Sequence, residues 1–554
     1  MTSIRESLRA AVAEARDRAI AAGELPVPDG AALPPVGIER PSRPEHGDFA
    51  SNAAMQLAPV ARRAPMAIAE TLRTQLGTPP GVLAASVAPP GFLNLQLDPA
   101  WVAGQVVTIR SDGEGFGRVR APEPHRINVE FVSANPTGPL TVGNARGAFV
   151  GDLLSRVLEA VGHEVVREYY FNDFNAQVRN LGLSLLARHE GREPPEDGYH
   201  GAYVTAMVAD VPAELWQRAA LPESDPGEVL GRWASERVRA GIESSLAALG
   251  VRFDVWKSEG SLHDEGWVPR ALDQLRDKGD IYEEDGATWF RSSQYGDDKD
   301  RVVIRSNGQP TYFASDIGYL AEKFSRDFDE LIYLWGEDHH GTVARNRAAA
   351  QALGFHAEHV QYLLMAWVRF VRDGQDIGMS KRAGEFISLD ELLAEIGPDA
   401  ARWFFGSRAP GTGIDFDIEL AKRQSAENPV YYVQYAHARA SSILRNADAS
   451  SMQADDSQAA ALLHHPAEQA LIRRLLDLPD VVADAAARRE THELTRFLLE
   501  SAQLFSAFYR DCRVLSEDPA ERQLSAARLA LTDAVRRVLA NGLGLLGIGA
   551  PASM

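Results

Sequence analysis

Two short segments carry side chains suited to phosphate chemistry. The first is PTGPLTVGNARG, Pro136 to Gly147. Gly143 allows close approach of the backbone to a ligand, and a helix starting near Asn144 would offer unpaired N–H groups to an anion. Thr141 and Asn144 stand three residues apart, which sets two side-chain donors at that helix start. This suits the phosphates of ATP; the same residues also suit an ordinary turn and helix cap. The second segment is DIGMSKRAGEF, Asp376 to Phe386, where Lys381 and Arg382 sit on a glycine-containing loop. A flexible cationic loop fits a transient charge such as departing pyrophosphate. A solvated basic turn is the simpler account of the pair taken alone.

The elements around these segments follow from periodicity. A buried parallel strand is predicted over Ile127 to Val132, then the glycine turn, then the helix: a strand–turn–helix unit of nucleotide-binding α/β sheets. A second apolar strand, in FDELIYLWGEDHHG, ends in polar residues at its carboxyl end, where ligands of such sheets sit. Between them, roughly residues 185 to 275 read as an insertion of loops and amphipathic helices. VVIRSNGQPTYFA reads as a hairpin around Asn307-Gly308. SLDELLAEIG is a helix with a Ser388–Glu391 capping box, stopped by Gly397-Pro398. From about residue 425 the pattern is helical, with Leu494, Phe497, Leu498, Phe505 and Phe508 on one face and NADASSMQADDSQ as a polar loop. Residues 1 to about 110 form a separate α/β module. It opens with a helix whose apolar face is Ile4, Leu8, Val12 and Ala15 and ends in the strand-like FLNLQL. Ser111 to Arg120 reads as a linker.

Composition sets outer limits. The 554 residues imply several domains, and 45% hydrophobic with 24% charged residues is ordinary globular usage. No apolar run is long enough for a membrane span, and the charge pattern of the first residues excludes a secretory or transit peptide. Cys512 is the single cysteine, so neither an internal disulfide nor a cysteine zinc site forms, which fits a reducing cytoplasm. The net charge of -20 speaks to solubility rather than to a specific site, and leaves RNA binding open.

As a pair, the two segments resemble the signatures of class I aminoacyl-tRNA synthetases. TVGN is similar to the HIGH sequence and GMSKR to KMSKS, in the family's order and with its wide separation. VEFVSANPTGPL, REYYFND, GDDKDRVV, TYFASDIGYL, WGEDHHG, NPVYYVQYAHAR, HGDFASN and NGLGLLGIGAP resemble, as an ordered set, bacterial arginyl-tRNA synthetases, from about Arg40 to Met554. There are departures. Thr141 and Asn144 stand where the family usually has histidines; both donate hydrogen bonds, but neither carries an imidazolium charge. Gly378 replaces the first lysine of KMSKS, while Lys381 keeps the second. FNDFNAQ departs from NDAGNQ, with Asn172, Asp173 and Gln177 in register.

The resemblance implies a Rossmann-type α/β catalytic domain over 120–415. A tRNA-binding α/β module (1–110) would precede it, and a helical anticodon-binding bundle (425–554) would follow. It implies ATP-dependent attachment of L-arginine to tRNA(Arg) through arginyl-adenylate, with Mg2+ as countercharge. The enzyme so implied is cytoplasmic and, by family habit, a monomer, without DNA or membrane partners. By the same route, Thr141, Gly143 and Asn144 hold the triphosphate and Lys381 stabilises pyrophosphate. Gly336, Asp338, His339, Met379 and Ser380 contact the nucleotide, and the pair His339–His340 is read as a nucleotide contact rather than a metal site. Asp316 and Tyr312 face the guanidinium; Glu130, Ser133, Asn135 and Gln177 complete the arginine pocket. Phe92 and Asn94 meet a D-loop base, and Tyr431 and Tyr435 meet single-stranded bases, although at helical spacing one or two of Tyr431, Tyr432 and Tyr435 belong to the core. Without the family, Glu130 reads as a satisfied carboxylate at a strand end and Tyr312 as a strand aromatic. The alternatives are a class I synthetase for another amino acid, a nucleotidyltransferase of related fold, and a catalytically weak paralogue that binds RNA.

Overall fold

The computed structural model describes residues 3–173, 175–377, 388–447 and 460–554. The loop carrying Met379, Ser380 and Lys381 and most of the predicted polar tract lie outside the described residues.

The first module opens with α1 (Ile4–Ala21), whose start is capped by Ser3 accepting from Glu6 N at 3.1 Å. Leu8, Val12, Ala15 and Ala19 are buried, while Ile4 is only partly covered. They pack with α2 (Ala53–Ala61) and α3 (Pro65–Leu76) on an antiparallel sheet. Its strands are β1 (Phe49–Ser51), β2 (Val82–Ala88) and β3 (Phe92–Leu97), with β3 central. Helix α4 (Pro99–Asp112), capped by Asp98, runs into the segment expected to be a linker. That segment is anchored rather than free. Phe116 is buried, and Asn541 Nδ2 donates to the carbonyls of Gly113 and Phe116 at 2.8 and 2.9 Å.

The second unit is a five-stranded, wholly parallel sheet. Its strands are β4 (Arg126–Glu130), β5 (Glu164–Phe171), β6 (Val255–Ser258), β10 (Glu330–Gly336) and β11 (Val360–Met365), ordered β11-β10-β4-β5-β6. The first strand is central and the chain grows outward on both sides, so the topology switches between β4 and β10. Ile127, Val129, Leu331 and Ile332 are completely buried, as in a sheet covered on both faces. Helix α5 (Val142–Ala160) follows β4 and is buried along most of its length.

The stretch expected to be an insertion contains α6 (Ala176–His189), α7 (Ala202–Val208), α8 (Ala213–Ala219) and α9 (Pro226–Ala248). It also contains β6, so the insertion proper ends before the sheet's edge strand; four residues of half-buried strand carry too little periodicity to announce themselves. Helices α6 and α9 cross in near backbone contact. A Cβ on Gly182 would stand 2.1 Å from Gly227 O, and one on Gly231 2.2 Å from Val178 O. After α10 (Glu259–Asp264) and α11 (Trp267–Asp277) comes an antiparallel sheet of β7 (Ile281–Glu284), β8 (Ala287–Phe290) and β9 (Arg301–Ile304). The expected hairpin at Asn307-Gly308 closes through Arg305 N to Gln309 O at 2.9 Å and one bridge, Ile304 to Pro310. It has no second full strand, because Thr311 caps α12 (Tyr312–Phe324) at once; Tyr312 is therefore helical.

Helix α13 (His340–Leu353) leads to β11. Strands β12 (Val368–Arg372), β13 (Gln375–Asp376) and β14 (Ile414–Asp417) form a small sheet flanked by α14 (Leu389–Ile396), α15 (Pro398–Gly406) and α16 (Ile418–Lys422). The Ser388–Glu391 capping box forms as predicted. Gly397, at φ 77°, ends α14, and Pro398 opens α15.

The last unit is a bundle of α17 (Pro429–Asn446), α18 (Pro466–Leu475), α19 (Leu478–Arg488), α20 (Glu493–Asp511) and α21 (Arg522–Leu545). The predicted face of α20 is entirely buried. The bundle shares one apolar core with the other two units. Arg5 to Asp484 (2.6 Å), Arg473 to Asp48 (2.7 Å) and Arg40 to Asp477 tie it to the first module. No described helix is long and apolar enough to cross a membrane.

Candidate active site

A cleft of about 1020 Å³ opens at the carboxyl ends of β4 and β10, the switch point of the sheet. Its walls are the β4–α5 turn, the start of α5, Gln177, the 197–203 segment, Gly336 to His339 and Met365 to Val368.

The turn after β4 bends through left-handed conformations at Val132 (φ 68°) and Ser133 (φ 41°), strain that only surrounding contacts can hold for residues with a Cβ. Those contacts are present. Ser133 Oγ donates to Glu130 at 3.1 Å and accepts from Tyr170 N at 3.1 Å. The buried Tyr169 hydroxyl accepts from Ala134 N and donates to Ala134 O, at 3.1 and 2.9 Å. Tyr203, from the insertion, donates to Thr137 O at 2.8 Å. Asn135 Nδ2 donates to Gln177 Oε1 at 2.8 Å, across the mouth of the cleft.

Thr141 is the N-cap of α5. Its N–H and hydroxyl both donate to Asn144 Oδ1, at 3.3 and 3.0 Å, so the Thr141 hydroxyl proton is engaged and Asn144 keeps its amide as the donor end. Thr141 also bridges to Ser388, and Leu389 N donates to Leu140 O at 3.0 Å. Ser388 and Leu389, six and seven residues past Arg382, are thereby docked beside TVGN. Gly143 has only Thr141 Oγ1, at 3.5 Å, near an added Cβ, so the space over the helix start is open. Gly336 has no such room: a Cβ there would meet Asp338 Oδ1 at 2.3 Å. Asp338 and His339 are exposed on the opposite wall, 3.8 Å apart. His340 Nδ1 faces Glu337 O at 3.1 Å.

Ser133, Asn135, Thr141, Gly143, Asn144, Gln177, Gly336, Asp338 and His339 thus share one cleft. Glu130, Tyr312 and Asp316 do not line it. Glu130 is buried and paired with the fully buried Lys323 at 2.7 Å, the satisfied carboxylate that the residue suggests when read alone. Lys323 also lies over the rings of Tyr319 and Tyr333. Beside it Glu168 takes a fork from Arg326 at 2.8 and 3.0 Å; burial opposes its charge, but Lys323 and Arg326 outweigh that and hold its carboxyl below the usual range.

Asp316, half-buried on α12, behaves oppositely. Burial pushes its carboxyl up to about 7; Arg345 opposes the rise, and Glu259 and Glu130 reinforce it. Tyr312, one turn earlier, is exposed. Glu259, which no sequence pattern singled out, is buried at the start of α10, hydrogen-bonded by Tyr170 and Ser315, and also raised by burial. Glu130, Glu259 and Asp316 outnumber the cations Lys323 and Arg345 that face them, so the region suits an added cation. Among the described residues no group of three or more His, Cys, Asp or Glu could hold a metal ion.

On α17, Tyr431 and Tyr435 stack at 6.4 Å, and Arg439 reaches both Tyr435 (4.9 Å) and Tyr509 (5.0 Å). Tyr435 and Tyr509 are exposed, whereas Tyr432 packs against the core and meets Ser506 Oγ at 2.9 Å. In the first module Phe92 is half-buried and Asn94 is buried mid-sheet, opposite Ala50 and Ser86.

Three family models match the chain. They are the arginyl tRNA synthetase N terminal domain over residues 2–97, the tRNA synthetases class I (R) catalytic domain over 105–403, and the DALR anticodon binding domain over 433–554. The chain is 45% identical to an arginine--tRNA ligase of Moorella thermoacetica, over 99% of this chain and 98% of that one. It is 44% identical to one from Frankia alni, over 98% and 99%. Among solved structures it is similar to the arginyl-tRNA synthetase of Thermus thermophilus, with 25% identity, TM-score 0.79 and both chains covered in full. The arginyl-tRNA synthetase from Plasmodium falciparum, at 13% identity and TM-score 0.76 over both full chains, shares the fold.

Proposed function

The chain belongs to the arginyl-tRNA synthetase family, and from that premise we propose how its residues divide the work of the reaction. The protein is an arginine–tRNA ligase: it uses ATP to join L-arginine to tRNA. In our reading the tRNA is tRNA(Arg), Mg2+ enters as the countercharge of ATP, and the enzyme works as a cytoplasmic monomer. Magnesium bound through substrate phosphates, waters and one or two carboxylates needs no protein cage.

The observation that supports this mechanism is the bridge from Thr141, in the cleft, to Ser388, which follows the second signature segment in the chain. The arginine carboxylate attacks the α-phosphate, forming arginyl-adenylate and releasing pyrophosphate. A terminal ribose hydroxyl of the tRNA then attacks the adenylate and releases AMP. No protein nucleophile is needed; positioning and charge stabilisation do the work. We assign the triphosphate to the open start of α5, with Asn144 and Gly143 as contacts and Thr141 orienting Asn144. Lys381 is assigned to the departing pyrophosphate, and Met379 and Ser380 to the nucleotide. Gly336, Asp338 and His339 take the adenosine side. Asn135, Gln177 and Ser133 take the amino-acid backbone.

The guanidinium falls to Asp316 and Tyr312, with Glu130 as the buried support of the turn. A carboxylate matches the planar fork of guanidinium, which lysine cannot copy. For RNA, the exposed Tyr435 and its stacking partner Tyr431 are the candidates to meet single-stranded bases, and Phe92 with Asn94 the D-loop candidates. We place the domain limits at 1–110, 120–415 and 425–554. Reading the chain as an inactive RNA-binding paralogue has no observation in its favour.

The test is ATP–pyrophosphate exchange with each of the twenty amino acids, with and without bacterial tRNA. Exchange confined to arginine is expected. Exchange with another amino acid, or none in a folded protein, would overturn the assignment of the cleft.

A further inference from the structure

Two buried cations among the described residues come with carboxylates: Lys323 with Glu130 at 2.7 Å, and Arg402 with Asp152 at 2.8 Å. Arg146 does not. It sits on α5 two residues past Asn144, lines the cleft, and is 1% exposed. Its two terminal nitrogens donate to Ala366 O and Ala409 O, both at 2.8 Å, and its Nε has no hydrogen-bond partner. Among the described residues no carboxylate forms an ion pair with it. Burial lowers its pKa to about 10, which still leaves it charged at neutral pH. An uncompensated buried cation is costly, because carbonyl dipoles replace only part of the lost hydration.

The place of this charge gives it a purpose. Arg146 stands one turn into the same helix whose first N–H groups open onto the cleft, and helix dipole and guanidinium add there with one sign. Thr141 and Asn144 contribute hydrogen bonds but no charge. We propose that Arg146 is the fixed cation of the triphosphate site, without an ion-pair partner among the described residues and neutralised by the nucleotide's phosphates. This rests on the assignment of that cleft to ATP. Its carbonyl bonds also hold the segments leading into β12 and β14, so the charge is preorganised rather than mobile.

Two full-length variants separate charge from clamping. Arg146→Gln keeps an amide donor for a carbonyl and drops the charge; Arg146→Lys keeps the charge and loses the fork. The measurements are ATP KM in arginine-dependent exchange and the thermal midpoint with and without Mg·ATP. The Gln variant should raise ATP KM roughly tenfold or more, lose most of the ATP-induced rise in midpoint, and keep the midpoint of the free enzyme. The Lys variant should bind ATP at pH 7 and lose affinity between pH 7 and 9, because a buried ammonium gives up its proton at lower pH than the guanidinium does. A purely structural role moves no such pH profile. Wild-type ATP affinity in the Gln variant, or equal losses in both variants with lowered midpoints and unchanged ATP shifts, would overturn the proposal. A wild-type enzyme whose midpoint and exchange ignore ATP would overturn the cleft assignment itself, and this proposal with it.

Discussion

Replacing Asp316 by Asn removes a charge that the free enzyme holds at a cost and that the substrate's guanidinium would neutralise. Its carboxyl is raised from 3.8 to about 7, first by burial and then by Glu259 and Glu130, against the pull of Arg345. At about 1.4 kcal/mol per pH unit, that difference corresponds to about 4 kcal/mol of strain in the ionised, unliganded state. The sign follows from proton counts. The unfolded chain releases this proton near 3.8 and the folded one near 7, so between these values the native state binds more protons and stability falls as pH rises. Asp316→Asn should therefore raise the thermal midpoint of the free enzyme at pH 8.5, and the gain should shrink as pH falls from 7 toward 4. The same variant should raise the KM for arginine by about 30- to 150-fold, the loss of a charged hydrogen bond of about 2–3 kcal/mol, with ATP KM unchanged. In the parent enzyme, arginine KM should rise about tenfold per pH unit below pH 7, as the carboxylate is lost to protonation. A variant that is less stable than the parent at pH 8.5, with unaltered arginine KM, would make Asp316 the structural partner of Arg345 and remove it from arginine recognition.

Other perturbations probe neighbouring parts. Lys323→Met leaves Glu130 buried without its cation and should cost about 3–5 kcal/mol in denaturant unfolding; adding Glu130→Gln should recover most of it. Lys381→Ala should slow arginine-dependent pyrophosphate exchange by roughly 100-fold or more while leaving tRNA affinity, measured by filter binding, near that of the parent. Tyr435→Ala should weaken tRNA binding by about 1–3 kcal/mol, raising tRNA KM with little change in arginine KM, whereas Tyr432→Phe, which loses only the contact with Ser506, should leave tRNA KM unmoved.

Some features of this protein are written in short stretches of chain. The Ser388–Glu391 capping box, the buried face of α20 and the strand ending at Gly336 formed where their residues foretold, and the strand–turn–helix at TVGN formed with its strand ending at Glu130 rather than Val132. Each depends on side chains within a turn or two of one another, so propensity and periodicity suffice. The ordered signatures carried the family for a related reason: chemistry demands particular residue types at particular spacings, and those survive in linear order. Where several local outcomes were nearly equal in energy, neighbours in sequence could not decide. Val255–Ser258 is too short to declare itself a strand until β5 pairs with it, and Tyr312 enters a helix because Thr311 caps it. Among three tyrosines on α17, packing against α20 decides that Tyr432 turns inward and Tyr435 outward.

Electrostatic state was the least legible of all, because a charge is judged by everything around it. Glu130 and Asp316 are both acidic residues of the expected arginine pocket. One is neutralised by Lys323, 193 residues away in the chain, and the other is left raised to about 7 by burial. Glu259 and Arg146 gave no linear signal, since their importance lies in which partners the fold brings near them and which it withholds. The chain itself sets the parts and their order. Which charges are paired and which wait for substrate is settled in three dimensions, because burial and Coulomb energy depend on distances in space rather than along the chain.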